Sequence, residues 1–444
     1  MKPLREIGGK IKLAAFMGGV LLLNGCKVET GEPEAEAMLG NAEYLAMSYS
    51  GWRTTQRADE LCPTVAEIRE DLLLMEAMGV RMIRTYNTQL FPQTERILAA
   101  IRELKEADAG FEMYVMLGAW IQCEGIYTEA ANHAKGDAEL NGREIARAIE
   151  LAEQYPDIVK IIAVGNEAMV TWQPHHVAPA IIHKWVKVLQ EAREAGRLAS
   201  DLWITTSDNW AALGGEESYR NDDLLALLRA LDYVSLHTYA FHDTYYYPTF
   251  QWAIRPAQAG ADPAEEVRQA HPRAELPVPE EKARAVERAV AHQKAQVAAV
   301  RAYFRENGIE KEIHIGETGW ATRDDSHYGN EGTCAADEYT SKLFHDAVRE
   351  WTESAGMSCF YFQAFDEPWK SSTPDGSESH FGLFTNEGQA KAVLWHLVDA
   401  GVFEGLGRSE NPVTKTFDGD KDRLMETVLA PRVFKFQLPG EGAE

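Results

Sequence analysis

Two glutamates stand directly after apolar segments that have the length of buried strands. The first, Glu167, lies in the segment VGNEA at residues 164–168, and the second, Glu317, lies in IGETGW at residues 315–320. Two facing carboxyl groups can cleave a glycosidic bond, because one donates a proton to the leaving oxygen while the other attacks or stabilises the anomeric carbon. A single Glu at a strand end is usually a surface group or a cap. The two glutamates together, each within its motif, are a stronger indication of such a catalytic site.

Eight short apolar segments, each bounded by turn residues or helical patterns, predict buried strands. Amphipathic segments between them predict helices, with Thr64 as an N-cap. The strands are predicted at 44–49, 81–86, 112–117, 159–164, 202–206, 233–236, 312–315 and 357–362, and the helices at 65–78, 95–105, 142–155, 178–195, 222–230, 280–307 and 335–354. This alternation predicts an α/β fold, a (β/α)8 TIM barrel with its active site in the loops after the strands. An open doubly wound sheet is disfavoured, because no glycine-rich phosphate loop follows the first strand.

Six motifs in the expected order resemble glycoside hydrolase family 17, the β-1,3-glucanases and related glucosyltransferases. Besides the two glutamate motifs, RTY at 84–86 matches the second strand of that family and LGAW at 117–120 its third. The segment FYFQAFDEPWK at 360–370 matches the eighth strand, and HFGLF at 380–384 resembles the segment after it. The resemblance runs from about residue 44 to residue 395. It implies a retaining barrel glycosidase with the acid/base on the fourth strand and the nucleophile on the seventh.

Carried over to this chain, the resemblance makes Glu167 the general acid/base and Glu317 the nucleophile. Retention requires the two carboxyl groups to lie about 5–5.5 Å apart. The charge of Glu317 is expected to raise the pKa of Glu167, since like charges disfavour ionising both groups. Asn166 is expected to hydrogen-bond the sugar 2-hydroxyl. Arg84 is expected either to hold Glu317 ionised or to form a structural ion pair.

Aromatic side chains just beyond the predicted strand ends could pack on the C–H faces of sugar rings. For any single one, core packing is an equal alternative. His237 is expected to orient a hydroxyl or a carboxylate. The pair Glu367 and Lys370 resembles a family pair near the donor-side subsites, with a structural role as the alternative. The aromatic candidates are Tyr49, Tyr86, Trp120, Trp210, Tyr239, Trp320 and Trp369. Nothing in the sequence indicates a metal or an organic cofactor, and no zinc-ligand spacing is present; a structural cation on so acidic a chain is the alternative left open.

The connection 241–279 is longer than a minimal barrel needs. Its first half is aromatic and its second half is rich in Pro, Ala and Glu. Loops of this length in compact domains are usually functional or disordered. We expect the aromatic half, with Tyr245, Tyr246, Tyr247, Phe250 and Trp252, to wall one end of a sugar-binding cleft, and the second half to be a spacer.

The N-terminal segment 1–25 has the pattern of a secretory signal. Cationic residues precede a short apolar stretch, too short to anchor stably in a bilayer, and LNGC at 23–26 resembles the bacterial lipobox. That resemblance implies cleavage before Cys26 and lipid attachment to its sulfur; an uncleaved amphipathic N-terminus is the alternative. Residues 26–43 predict a flexible tether and 44–435 the catalytic domain. We therefore expect an exported protein, lipid-anchored at the outer membrane or cell surface.

The composition excludes some partners and constrains the cysteines. A formal net charge of −25 over 444 residues repels phosphates, so a nucleic-acid partner is not expected. A neutral β-glucan is compatible with this charge. Besides Cys26 the chain has Cys62, Cys123, Cys334 and Cys359, and in an exported protein these permit up to two disulfides in three pairings. Cys359, in an apolar run, could equally be a free buried thiol.

The sequence leaves three functions to compare. The leading prediction is a retaining endo-1,3-β-glucanase that hydrolyses laminarin-type glucan. A β-1,3-glucanosyltransferase would use the same carboxylates but pass the sugar to a hydroxyl of another glucan instead of water. A non-catalytic glycan-binding surface lipoprotein is disfavoured, because binding alone does not require both Glu167 and Glu317.

Overall fold

Eight parallel strands close into a barrel in this computed structural model, which describes residues 33–247, 250–253 and 277–433. The (β/α)8 TIM barrel is confirmed, and every predicted strand overlaps an observed one. Each strand pairs with the next, and the last closes on the first through Tyr361 and Met47. The strands are β1 (Leu45–Ser48), β2 (Val80–Arg84), β3 (Tyr114–Ala119), β4 (Val159–Asn166), β5 (Trp203–Asn209), β6 (Val234–His237), β7 (Ile313–Thr318) and β8 (Cys359–Tyr361).

Amphipathic helices form the outer layer of the barrel. Thr64 is the N-cap of the first long helix, where it forms a reciprocal capping box with Glu67, as predicted. The long helices are Val65–Ala77, Gln93–Ala107, Ala138–Gln154, Pro179–Glu194, Asp222–Ala230, Val278–Glu306 and Glu338–Ser354. Shorter helices are Ala35–Met38, Ala240–Tyr246, Trp395–Asp399 and Lys421–Glu426. Two antiparallel ribbons join 123–124 to 132–136 and 407–408 to 411–412.

The barrel strands are buried on both faces, between the barrel interior and the helices. All six residues of β3 and the first seven of β4 are buried. Parallel strands covered on both sides read as continuous apolar runs rather than as alternation, which is why these strands are visible in the sequence. The packed core holds the loops after the strands on a rigid frame.

The last part of the predicted tether belongs to the folded domain. The helix Ala35–Met38 buries Ala35 and Met38 completely, in a cluster with Met82 and Phe360 of the barrel. A flexible tether over 26–43 is therefore wrong for its C-terminal part, because removing these apolar side chains from water stabilises the packed position. The predicted signal, Cys26 and the first part of the tether lie outside the described residues. Within the described ranges, no helix has both the length and the apolar character needed to cross a membrane.

All four cysteines of the described residues are buried free thiols, so the disulfides that their number permits are not formed among them. Cys359 is the buried thiol that its apolar run indicated, and burial raises its pKa to about 11. Cys123 contacts the carbonyl of Pro174 through its sulfur at 3.6 Å. An even number of cysteines permits disulfides but does not bring the sulfur atoms together, which requires Cα atoms within about 7 Å.

Candidate active site

Glu167 and Glu317 meet at the C-terminal mouth of the barrel. Glu167 directly follows β4 and Glu317 lies near the end of β7. Nδ1 of His237, at the end of β6, lies 3.3 Å from Oε1 of Glu167 and 3.6 Å from Oε2 of Glu317. Two carboxyl oxygens this close to one nitrogen are at most about 7 Å apart, which accommodates the separation of about 5–5.5 Å found in retaining glycosidases.

The contacts of His237 with Arg84 and Ser207 favour one arrangement of its ring protons. Nε2 lies 3.1 Å from Nη1 of Arg84 and 2.7 Å from Oγ of Ser207. A guanidinium only donates, so the contact with Arg84 favours the arrangement in which Nε2 accepts and Nδ1 carries a proton. That proton faces the carboxyl groups and is donated to Glu167. His237 therefore orients a carboxylate, one of the two roles expected for it.

Arg84 connects the nucleophile candidate to Asn166. Its Nη1 donates to Oε1 of Glu317 at 2.6 Å, and its Nη2 donates to Oδ1 of Asn166 at 2.6 Å. This leaves the Asn166 amide nitrogen as the end that can donate to a sugar hydroxyl. The hydroxyl of Tyr239 donates to Oε2 of Glu317 at 2.9 Å. Burial and the nearby Glu317 hold the pKa of Tyr239 well above its usual value, so this hydroxyl keeps its proton.

The electrostatic environment of Glu167 differs from the expected one. Burial raises the pKa of Glu167, but hydrogen bonds from His237 and Gln173 outweigh burial and hold that pKa below its usual value. The Gln173 amide donates to Oε2 of Glu167 at 3.2 Å. The sequence leads to the expectation that the charge of Glu317 raises the pKa of Glu167, whereas the interactions with His237 and Gln173 set the net shift in the opposite direction.

A buried carboxyl group holds the backbone that follows Glu167. Glu167 has a φ of 45°, in the left-handed region that costs a non-glycine residue about 1–2 kcal/mol. Asp208 accepts hydrogen bonds from the backbone nitrogens of Met169 and Asn209, each at 2.8 Å. Burial, and then the charge of Glu167, raise the pKa of Asp208 to about 8, although the backbone donors lower it. Asp208 therefore fixes the strained turn that carries the acid/base candidate.

A cavity of about 700 Å³ opens beside Glu317, on the side of the loops after β1, β2, β3 and β8. Four of the predicted residues line it with aromatic or charged side chains: Tyr86, Trp120, Trp369 and Lys370. Asn166 and Glu317 form its inner end. Further walls come from Trp52, Arg57, Gln122 and Tyr127, which the sequence did not single out. The cavity thus combines flat apolar surfaces with hydrogen-bonding groups, as a sugar site requires.

Four of the predicted rim aromatics do not line this cavity, and one of them, Tyr239, instead donates to Glu317. Tyr49 is 2% exposed and donates to Asp71 at 3.0 Å. Trp320 is fully buried and donates to the carbonyl of Ala335 at 2.8 Å. Trp210 is half-buried and packs against the core. For Tyr49 and Trp320 the core alternative is the correct one, because their side chains point into the packed layer between strands and helices.

Glu367 and Lys370 form an ion pair at 3.1 Å but differ in exposure to the cavity. Glu367 is 1% exposed and accepts from the Ser50 hydroxyl and, at 3.3 Å, from the Trp52 backbone nitrogen, so it ties β8 to the loop after β1. Lys370 donates to Gln363 at 3.0 Å and reaches the cavity wall. Glu367 therefore has the structural role that was the alternative to substrate binding, whereas Lys370 is available to substrate.

Two described aromatic residues of the 241–279 connection, Trp252 and Tyr245, pack against the protein, whereas Tyr246 is 53% exposed. Trp252 is 1% exposed, donates to the Thr333 carbonyl at 3.0 Å and lies 5.3 Å from the ring of Trp320. The ring of Tyr245 stacks on His327 at 4.1 Å. The expectation that this segment walls the cleft is wrong for Trp252, which is an internal anchor. Residues 248–249 and 254–276 lie outside the described residues.

Comparison with solved structures identifies the family. The chain is 47% identical to an endo-laminarinase from Formosa Hel1_33_131, over 92% of this chain and 100% of that chain, with a TM-score of 0.84. The chain belongs to glycoside hydrolase family 17. The resemblance seen in the motifs is thereby confirmed.

More distant proteins are similar to this family 17 member in fold or in sequence. A glycoside hydrolase family 17 β-1,3-glucanosyltransferase from Rhizomucor miehei is 16% identical, over 79% of this chain and 96% of that chain, with a TM-score of 0.51. A glucan 1,3-beta-glucosidase from Arthroderma benhamiae is 24% identical over 344 residues, 76% of this chain and 86% of that protein. No protein-family model matches the chain.

Several site residues of this family 17 chain were missed by the sequence analysis. Ser207 and Asp208 lie at the polar end of β5, beyond the predicted strand 202–206. Gln173 reaches Glu167 from the loop after β4. The signal that could have found the first two is their position: polar residues at the end of a buried barrel strand face the same mouth as the catalytic pair.

Proposed function

We propose that this protein is a retaining endo-1,3-β-glucanase that hydrolyses laminarin-type glucan by double displacement. The observation that carries the proposal is the convergence of Glu167 and Glu317 on the Nδ1 atom of His237, at 3.3 Å and 3.6 Å. The 47% identity to an endo-laminarinase over the full length of that chain supports the choice of substrate.

In the first step Glu317 attacks the anomeric carbon while the protonated form of Glu167 gives its proton to the leaving oxygen, and the chain breaks as a glucosyl ester forms on Glu317. The lowered pKa of Glu167 makes this protonated form the minor one near neutral pH. Before the attack, Arg84 and Tyr239 hold both oxygens of Glu317 in position. In the second step Glu167, now a base, takes a proton from water, and the water oxygen displaces Glu317 from the anomeric carbon. Two inversions retain the β configuration.

A glucanosyltransferase differs only in the second step, in which a glucan hydroxyl replaces water. At 16% identity, the similarity to the Rhizomucor enzyme shows a shared fold and does not favour transfer over hydrolysis. Product sizing at high oligosaccharide concentration separates the two activities: hydrolysis yields only products shorter than the substrate, whereas transfer also yields longer ones. We expect shorter products to dominate.

The test of the proposal is the substitution Glu317→Gln, assayed on laminarin with NMR detection of the first anomer released from the wild type. We expect loss of at least about a thousandfold in kcat, because the ester cannot form, and a β-anomer as the first wild-type product. Glu312→Gln is a matched control at the opposite end of the same strand, where the side chain is 70% exposed. Activity of Glu317→Gln comparable to that of Glu312→Gln would show the mechanism to be wrong.

We also propose that the protein is exported and anchored through a lipid on Cys26. The support is the sequence alone: a cationic start, a short apolar stretch and the LNGC motif at 23–26. Metabolic labelling with radioactive palmitate in a bacterial host tests this directly. The wild-type chain should carry label and fractionate with membranes, and Cys26→Ser should lose both properties.

A further inference from the structure

Trp172 has an exposed ring on the loop after β4, one residue before Gln173, whose side chain contacts Glu167. It is 58% exposed, unusual for the largest apolar side chain. Single exposed apolar side chains are common on protein surfaces, so a role for Trp172 depends on the turn that carries it.

The turn that carries Trp172 is held on both sides. On one side, the backbone nitrogen and hydroxyl of Thr171 each lie 3.1 Å from the Tyr219 hydroxyl. On the other, Gln173 donates to Glu167 at 3.2 Å, and its backbone nitrogen donates to the Val170 carbonyl. Trp172 therefore lies at the tip of an anchored turn, one residue from a side chain in contact with the acid/base.

The two carboxyl groups face different parts of the cleft. Among the described residues that line the 700 Å³ cavity are Asn166 and Glu317, but not Glu167. The partners of Glu167 come instead from β6 and from the loop after β4. An acid that protonates the leaving oxygen must lie beside it. The leaving part of the glucan therefore passes along the loop after β4, and the part that stays on Glu317 occupies the cavity.

We propose that Trp172 is a stacking platform for the leaving portion of the glucan, and for an incoming sugar in the reverse direction. The proposal rests on the hydrolase function and assigns one of its binding surfaces. A glucosyl ring presents an apolar C–H face that matches an exposed indole. The anchored turn holds the platform still, so little conformational freedom is lost on binding.

Two substrates that differ only in the leaving portion test the platform. Laminarihexaose extends along the loop after β4, whereas β-laminaribiosyl fluoride leaves only fluoride on that side. We expect Trp172→Ala to lower kcat/KM for the hexaose by about tenfold more than for the fluoride, as one lost sugar–aromatic contact implies. Trp172→Phe, which keeps a ring, should recover most of the difference, and Trp172→Leu should not.

A second measurement follows the transfer of the donor sugar to an acceptor oligosaccharide. With laminaribiosyl fluoride as donor and laminaritriose as acceptor, the glucosyl ester on Glu317 is attacked by an acceptor hydroxyl, whose proton goes to Glu167. Trp172→Ala should reduce the fraction of longer product relative to hydrolysis. Equal losses on both substrates with an unchanged product pattern would overturn the platform. A wild-type chain inactive on both substrates would instead overturn the proposed function.

Discussion

The guanidinium of Arg84 lies 2.6 Å from Oε1 of Glu317, and the two side chains are only 1% and 8% exposed. The second guanidinium nitrogen reaches Asn166 at the same distance. One planar group thereby sets the separation and orientation of Glu317, the proposed nucleophile, and of the Asn166 amide that is proposed to meet the sugar. A lysine, with one point charge, cannot make both contacts in this geometry.

The first prediction concerns this bridge. Arg84→Lys keeps the charge but loses one of the two contacts, so we expect kcat on laminarihexaose to fall by at least about a hundredfold, in the range seen when a preorganised donor is removed. Arg81→Lys is the matched control on the same strand, because Arg81 pairs with Glu76 at 3.1 Å away from the site. Activity of Arg84→Lys within twofold of the Arg81→Lys control would contradict the role assigned to the bridge.

The second prediction concerns the pH dependence set by Gln173. Its hydrogen bond is one of those that lower the pKa of Glu167. Removing the donor in Gln173→Met should raise that pKa, so the protonated acid should persist to higher pH. The falling limb of kcat/KM, where Glu167 loses its proton, should therefore move to higher pH. The measurement is a kcat/KM profile on laminarihexaose from pH 4 to pH 9, and a limb that stays or moves to lower pH would exclude this contact as a cause.

The third prediction concerns Asp208 and stability. Because its pKa is about 8 in the folded protein against 3.8 for the free side chain, the folded state holds a proton that the unfolded chain releases above about pH 4. This contribution to stability is complete below pH 4 and is lost as the pH rises towards 8, at no more than about 1.4 kcal/mol per pH unit.

Urea unfolding at pH 5 and pH 7.5 measures this effect. Asp208→Asn cannot titrate, so its free energy of unfolding should fall less between the two pH values than that of the wild type. Its absolute stability should be lower at both, since the amide NH₂ replaces one acceptor of a backbone hydrogen bond. Asp157→Asn, at a side chain that is 46% exposed, serves as the surface control. Parallel pH dependences for wild type and Asp208→Asn would disprove the linkage.

The fold could be predicted from the sequence because burial on both faces makes barrel strands continuous apolar runs. The predicted strand ends were less accurate where polar residues continue the hydrogen bonding between neighbouring strands. Ser207, Asp208 and Asn209 pair with 235–237 although their side chains are polar, so β5 runs three residues past its predicted end. The helix Ala35–Met38 was missed because four residues carry too little periodicity to distinguish a docked turn from a tether.

The site could be predicted where a residue's role follows from its place on a strand. Glu167 and Glu317 are brought together by strand order alone. Contacts made by loops that fold back could not be predicted in this way. Gln173 lies six positions after Glu167, in an irregular segment, and its side chain returns to contact Glu167. The direction of an aromatic side chain is also invisible in the sequence, since Tyr49 finds its partner in Asp71 on a helix rather than in the cleft.

The fourth prediction separates two tryptophans that look alike in the sequence, each just beyond a barrel strand. Trp320 is fully buried against Phe344 and Trp252 at 4.7 Å and 5.3 Å, so Trp320→Ala should cost about 3–5 kcal/mol of unfolding free energy. Trp120 is half-buried, lines the cavity and packs on His175 at 4.3 Å.

Trp120→Ala should therefore lose less stability than Trp320→Ala but raise KM for laminarihexaose by about tenfold, because a sugar-facing surface is removed. Urea unfolding and steady-state kinetics on the two variants measure both quantities. Trp120→Phe, which keeps a ring in the cavity, should restore most of the KM. If instead Trp120→Ala destabilised the fold as much as Trp320→Ala with an unchanged KM, the cavity beside Glu317 would not be the surface that binds the glucan.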